Sequence, residues 1–586
     1  MRFFFGASFS LFLIIACSEK GEDFKKESYL FEKLDPKFSS VDFVNQIRED
    51  QDHSILNYIY YYNGGGVAAG DLNNDGLPDL YFVSNQGPNQ LFLNKDDLKF
   101  DNITDSAGVS GEGSWSTGVS IVDINADGWL DIYVCNVSGL LDFKGHNELF
   151  INNGDGTFSE RSKEFGLDFQ GYSTQSYFFD YDKDGDLDMY LVNHAIHTTL
   201  SHANAILREE LVPLVGDVLF RNKGGKFEDV SEEANIYGGV NSYGLSAAIA
   251  DFNGDGWDDI YVCNDFQEDD YLYINNQDGT FSERLAEYFS TISRFSMGSD
   301  VSDVNNDGLV DLMTLDMLPK DEFVIKETEG DEVMYNMREN LRNLGYKDQF
   351  SRNMLQLNHN GQFFVEAAIM NNVANTDWSW APLFADFNND GNQDLFITNG
   401  ILRRPNGLDF KNYVANSFAG RDQKQGVKWL YNSINEMPGG SAINQIFSGN
   451  QTGFKNETGK WIRNNSSLSN GSVYVDLDLD GDLDLVVNNL NAPASIYENK
   501  CKSSNFIQFG LKYKGKNIEG IGSKISIYSS SGAQTKWVYK SRGFLSSVDS
   551  KIHFGLNDVQ NIDSVKIVWP DLKSQTLYNL EVNGDI

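Results

Sequence analysis

The stretch "DYDKDGDLD", Asp180 to Asp188, places five carboxylates on nine residues. Ionised carboxylates a few ångströms apart repel one another, so such a cluster calls for a cation among them. Six relatives recur along the chain, all fitting D-x-[DN]-x-D-G-x-x-D, at spacings of 52 to 90 residues. Oxygen ligands on alternate residues, with Gly at position 6 allowing a sharp turn, suit a hard divalent cation, and Ca²⁺ best. Side chains at positions 1, 3, 5 and 9 converge, and the position-7 carbonyl adds an oxygen. The first loop offers Asp71, Asn73, Asp75 and Asp79 with the carbonyl of Leu77, and the second Asp123, Asn125, Asp127 and Asp131 with that of Trp129. The third offers Asp180, Asp182, Asp184 and Asp188, with Asp186 giving its carbonyl and turning its side chain outward. The fourth and fifth offer Asp251, Asn253, Asp255 and Asp259 with Trp257, and Asp303, Asn305, Asp307 and Asp311 with Leu309. The sixth and seventh offer Asp386, Asn388, Asp390 and Asp394 with Asn392, and Asp476, Asp478, Asp480 and Asp484 with Asp482. An EF-hand needs a bidentate Glu at position 12. Here that position holds Phe82, Val134, Leu191, Val262, Thr314, Ile397 and Val487, so these are not EF-hands. Up to seven structural Ca²⁺ are expected, each pinning one hairpin.

The same elements surround every loop. An apolar or small-residue run precedes it ("STGVSIVD", "LSAAIAD") and a β-rich run follows ("DIYVCN", "DMYLVN", "DLFITN"). A third run ("ELFINN", "DVLFRN"), a Gly turn and a fourth run ("TFSER", "KFEDV") complete the unit. Four short strands separated by turns form one antiparallel blade, so seven loops predict an all-β, seven-bladed propeller over residues 41–504. The seventh unit lacks a clear fourth strand. "VDFVNQI", Val41 to Ile47, resembles the fourth-strand runs and is expected to complete the last blade and remove its open edge.

Hydrophobic residues form 40% of the 586, enough for a substantial core, and 54 Gly against 10 Pro suit many tight turns. The balance of 46 basic to 85 acidic residues, −39 in all, argues against nucleic acid as partner and favours cations. Residues 1–16 have Arg2, then an apolar run too short to span a bilayer, and read as a signal peptide. The run ends in "IIAC", which resembles the bacterial lipobox and makes Cys17 the expected lipidation site, with residues 17–40 as a polar tether. An exported lipoprotein of a bacterial envelope follows, at the outer membrane or cell surface, with its membrane contact through that anchor. Cys135, Cys263 and Cys501 remain, too few for a disulfide framework; the first two sit in matching "DIYVCN" strands as small buried side chains.

From about residue 505 the loop motif stops and another strand grammar begins. "GIGSKI", "GFLSS", "IHFGL" and "VKIVWP" closely resemble the ASPIC/UnbV domain, and residues 505–586 are read as a small C-terminal β domain of that type. The loops are similar to those of FG-GAP/VCBS-type repeats and integrin α-subunit propellers. With "YNGGGVAAGDLNNDG" and "SRNMLQLN", the chain resembles the cartilage acidic protein-like (ASPIC/UnbV) family. That resemblance implies a calcium-binding extracellular protein with a propeller, and supplies no defined ligand.

The long insertions, about 193–217, 316–352 and 399–442, all fall between second and third strands, opposite the metal loops. Loops on a rigid scaffold are where binding usually resides, so that face is the expected ligand face. Its candidate residues are His194 and His197, with His202 nearby, and the cationic Arg403 and Arg404, suited to a carboxylate or sulfated glycan. No HExxH, GxSxG or GxxxxGK[ST] occurs. The reading is a surface binding or adhesion module for an extracellular glycan or protein. The alternatives are a polysaccharide lyase or hydrolase on a propeller, and a scaffold subunit of an envelope uptake complex.

Overall fold

The computed structural model describes residues 29–197, 203–328, 337–418, 429–450, 452–463, 465–501 and 504–586. Cys17 and His202 lie outside these residues, as do the expected signal peptide and residues 17–28 of the expected tether. No helix among the described residues is long and apolar enough to cross a membrane.

Seven sheets repeat one antiparallel four-strand order. In the fourth these strands are Gly244–Ala250, Asp259–Asn264, Tyr271–Asn275 and Phe281–Glu283. The first strands of successive sheets lie side by side, and that of the seventh (Ser469–Val475) returns to that of the first (Val67–Gly70), closing a ring. Burial explains the composition of each strand. "GLSAAIA" is buried along its whole length because the inner strands have protein on both faces, which is why small residues dominate there. Outer strands such as Phe281–Glu283 bury their leading Phe and present polar side chains beyond it.

The ring closes through a different strand from the one expected. Phe31–Lys33 pairs with Ser495–Asn499 as the seventh sheet's fourth strand, in the register Phe31↔Asn499 and Lys33↔Tyr497. Residues 31–33 therefore belong to the propeller rather than to a tether ending at 40. Val41–Ile47 instead crosses the turn between that sheet's second and third strands, through bridges Val44↔Pro493 and Asn45↔Leu490. Its alternate residues Val41, Phe43, Asn45 and Ile47 are buried, so it carries a strand's periodicity without a strand's place. "FEK" has the Phe-polar-polar pattern of "FDN", "FSE" and "FED", and that pattern marks the outer strands.

The C-terminal segment forms a four-stranded sheet in the order Gly532–Trp537, Lys524–Ser529, Asn561–Val568, Ser574–Glu581, and a pair Asn505–Phe509 with Ile552–Asn557. Between them the chain leaves this body and enters the ring. Ser541–Arg542 and Ser546–Ser547 form a hairpin that joins the first blade's sheet, with Ser547 beside Ala68. Its tip crosses the channel: Gly543 exchanges backbone hydrogen bonds with Ser299 (3.0 and 3.1 Å), and the Leu545 carbonyl accepts the N–H of Val119 (3.1 Å). Phe544 is buried 5.0 Å from the Trp380 ring. At Gly66 a Cβ would fall 1.7 Å from the Leu545 oxygen, and at Gly298 one would fall 2.9 Å from the Gly543 oxygen, so glycine makes room for the hairpin. Arg542, partly buried in the channel, donates to Asp300 (2.8 Å) and to the Val301 carbonyl (3.0 Å). The ring is plugged by its own C-terminal domain.

Phe31 is 1% exposed and packs edge-on against Phe387 at 5.5 Å. Phe31→Ala is expected to cost about 3–5 kcal/mol in denaturant unfolding, whereas Phe38→Ala, at a side chain 49% exposed, stays within about 0.5 kcal/mol.

Candidate metal loops and the opposite face

All seven acidic loops connect first to second strands and share one backbone trace. In the fourth, Asp251 accepts the N–H groups of Asp255 (3.0 Å) and Gly256 (2.8 Å), curling the loop around the position-1 carboxylate. In the sixth, Asp386 does the same for Asp390 (3.0 Å) and Gly391 (2.7 Å). Two left-handed residues make the curl: Gly at position 6, and position 4, occupied by Asn74, Ala126, Lys183, Gly254, Asn306, Asn389 and Leu479. No residue type repeats reliably at position 4, so the motif conceals this second bend. Carboxylate oxygens of Asp180, Asp182 and Asp188 lie within 4.8 Å of one another, as do those of Asp476, Asp478 and Asp480. Burial, reinforced by neighbouring carboxylates, pushes Asp180 and Asp476 up to about 7 and Asp131 to about 8. Such a donor set fits a hard cation in chemistry and spacing.

The position-9 Asp also serves as a structural tie. Asp259 accepts the N–H of Phe252 (3.0 Å) within the loop and that of Asn275 (2.8 Å) at the end of the third strand. The Asn275 amide then donates to the carbonyls of Asp258 (3.2 Å) and of Tyr181 in the preceding blade's loop (2.8 Å). Asn94, Asn152, Asn358 and Asn499 repeat this clasp onto Leu477, Leu72, Phe252 and Phe387. In the sixth blade Gly449 stands in the place of the Asn. These asparagines had a visible signal, the Asn ending "FLN", "FIN" and "YIN", whose role emerges only across blades.

The C-terminal domain sits on this loop face. Lys516 binds Asp186 (2.6 Å), Gln508 donates to Asp476 (2.8 Å), Lys524 donates to the Gly308 carbonyl (2.9 Å), and the Tyr539 hydroxyl donates to Asp258 (2.7 Å). The Asp186 side chain, expected to turn outward, is thus buried beneath the domain at 4% exposure. Its counterpart Asp482 is equally buried, with both carboxylate oxygens lacking a partner among the described residues.

The insertions gather on the other face, where three expected ligand residues prove to be structural. His194 is buried, its Nε2 sharing a hydrogen bond with the Tyr58 hydroxyl (2.8 Å) and its Nδ1 one with Thr174 (3.2 Å). Burial lowers it to about 3, so it is neutral and committed to the core. Arg403 is tied to Glu49 and to the Tyr62 hydroxyl (3.1 Å), and the buried Arg404 is tied to Asp377. His197, exposed, packs its ring 4.6 Å from that of Phe266. Phe266 borders the feature that sequence reasoning missed, a cavity of about 420 Å³ between blades four, five and six. Trp378, Trp380, Phe266, Phe295 and Tyr60 are among its walls. Asp265, pushed up to about 7 by burial, lines it together with Arg294 and Lys411. Aromatic residues from four separate segments meet there, and their convergence is invisible in linear order.

FG-GAP-like repeats match residues 71–134, 137–191, 215–262 and 251–314, and the ASPIC and UnbV family matches residues 513–586. Cartilage acidic protein 1 of Xenopus tropicalis is 28% identical over 216 residues. Over that stretch the chain is similar to cartilage acidic protein 1. That alignment spans 34% of this chain and 29% of the relative. Among solved structures, an Agrocybe aegerita lectin that recognises non-reducing terminal N-acetylglucosamine aligns over 78% of this chain and 97% of its own, at 15% identity and a TM-score of 0.35. The exotype rhamnogalacturonan lyase YesX aligns over 75% and 72%, at 11% identity and a TM-score of 0.35. Both are likenesses of fold alone.

Asn275→Ala leaves two carbonyls without their donor, one of them in the neighbouring blade, and is expected to cost about 1–3 kcal/mol. Asn276→Ala, which removes an exposed hydrogen bond to Thr280, should change stability by less than about 0.5 kcal/mol; paired urea unfolding curves compare the two.

Proposed function

We propose that this protein is a calcium-clamped binding module, held at the bacterial envelope through a lipid on Cys17 and taking an extracellular glycan or protein on its insertion face. The observation that carries this reading is the division of labour between the two faces. One face carries the seven acidic loops and is partly covered by the C-terminal domain, while the other carries the insertions and the aromatic cavity. The loops supply what Ca²⁺ requires, carboxylate and carbonyl oxygen around a tight turn, and their role is to hold the blades. The channel is filled by the C-terminal hairpin, which supports a ligand site on the face rather than along the axis.

Binding is favoured over hydrolysis by the cavity's chemistry. Glycoside hydrolases generally place two carboxyl groups across the scissile bond. Among the described lining residues Asp265 is the one carboxyl group, and Arg294 and Lys411 bring the opposite charge. A buried aromatic pocket with few polar groups is the usual form of a small-ligand site.

The test is to present the purified protein, with Ca²⁺, to immobilised polysaccharides and envelope or matrix proteins while assaying the supernatant for new reducing ends or unsaturated sugars. Retention on at least one surface without product is expected. Product release from a retained polysaccharide would convert the reading to that of an enzyme, and retention on none would overturn it.

A further inference from the structure

Each blade ends in an outer strand that forms the edge of its sheet. Such an edge offers unpaired N–H and C=O groups to any strand that meets it, and proteins usually guard it with charge. Register fixes the equivalent positions, because the outer strand sets a buried Phe opposite the third strand, as in Phe100↔Asn94, Phe158↔Asn152 and Phe364↔Asn358. The residue after that Phe is Asp101, Ser159, Glu228, Ser282, Lys455 or Glu32 in six blades. In the fifth it is Val365, 50% exposed, with the exposed Phe363 two residues before it on the same face. The turn that follows departs in the same way. Its two outward positions hold Asp105 and Ser106 in the first blade, Lys163 and Glu164 in the second, and Glu232 and Glu233 in the third. In the fifth they hold Ile369 and Met370, 64% and 86% exposed. Single exposed apolar residues are ordinary, whereas four together, at positions that are polar in sister blades, mark an interface.

The Ala367 N–H bonds the Leu355 carbonyl (2.8 Å), so by antiparallel alternation the N–H and C=O groups of Phe364 and Glu366 point outward. They have no backbone partner among the described residues. Two copies of this strand, run antiparallel about a two-fold axis at Val365, pair the outward groups of Phe364 with those of the second copy's Glu366. Val365 then faces Val365. Charge permits that approach here. Each copy carries −39, but Glu366 is the one charged residue from position 360 to 376, and Arg352 neutralises it (2.7 Å). A foreign partner steered by charge finds nothing to grip, whereas an identical edge is self-complementary.

We infer that the outer edge of the fifth blade pairs with the same edge of a second copy of this chain. Two four-stranded sheets become one of eight strands, with Val365 and Phe363 at the seam and Ile369 and Met370 flanking it. The buried area is small, below about 1,200 Å² in total, so the dimer is weak and reversible.

Sedimentation velocity of the purified full chain with Ca²⁺, across a concentration series, tests this. A concentration-dependent species of twice the chain mass is expected. Val365→Lys sets two like charges face to face at the axis, and Met370→Glu supplies the acid that the second blade carries as Glu164. Each is expected to weaken the dimer about tenfold, with thermal unfolding unchanged because sister blades carry charge at both positions. Val365→Cys is expected to cross-link into a dimer under mild oxidation, since directly opposed residues of this kind lie within disulfide reach. Asp101→Cys, at the first blade's equivalent position, is not. A chain that stays monomeric throughout overturns the inference. So does a dimer untouched by both charge variants, or one that cross-links equally through Asp101→Cys. Should one charge variant unfold, the other and the cross-link decide.

Discussion

The structure is organised around carboxylates that repel each other. Seven times, the chain turns from an inner strand to its neighbour through a loop whose position-1 and position-9 aspartates are drawn toward one centre, away from bulk water. Burial raises the proton affinity of these groups, to about 7 at Asp79 and Asp180 and to about 8 at Asp131. The backbone offsets part of the cost: in the sixth loop Asp386 takes two loop N–H groups, and in the fourth Asp259 takes one from the loop and one from the third strand. The remaining charge is what a bound cation would offset. Because position 9 is tied to the third strand, and that strand's Asn to the preceding blade's loop, what holds one loop also bears on its neighbours.

The C-terminal domain depends on the same face. It reaches five of the loops with Lys516, Gln508, Lys524, Tyr539 and His553, and sends a hairpin up the channel to pair with the first blade's inner strand. Ring and domain therefore share a core: Phe544 and Leu545 lie in one cluster with Trp115, Tyr61 and Trp380 near the insertion face. That cluster underlies the cavity, so the insertion face stands on an aromatic floor contributed in part by the far end of the chain. A domain boundary near residue 505 describes the sequence grammar, and the packing crosses it.

Much of this was legible in the sequence wherever the determining contacts are local. The loop positions, the four-strand unit and the placement of insertions opposite the loops all follow from repeats and strand alternation. The closing strand was missed because Val41–Ile47 has the stronger alternation, while three residues, "FEK", do the pairing. His194, Arg403 and Arg404 stood out by residue type, but their partners Tyr58, Glu49 and Asp377 are distant in the chain and could not be read from it. The same holds for Asp186, turned inward by Lys516 more than three hundred residues away. The cavity walls come from separate blades, so only the closed ring assembles them.

The central claim is that a cation relieves the loop repulsion, and calcium-dependent melting across pH tests it most directly. Burial raises Asp180 and Asp476 to about 7 in the metal-free fold, against about 4 in an unfolded chain, so at these groups the fold binds more protons than the unfolded state. Their contribution is fully present below about pH 4 and is lost as pH rises through about 7. The metal-stripped protein should therefore lose loop stabilisation between about pH 5.5 and pH 8, and millimolar Ca²⁺ should restore it, with a larger gain in Tm at pH 8 than at pH 5.5. A Tm at pH 8 that is the same with chelator as with Ca²⁺ would contradict the account.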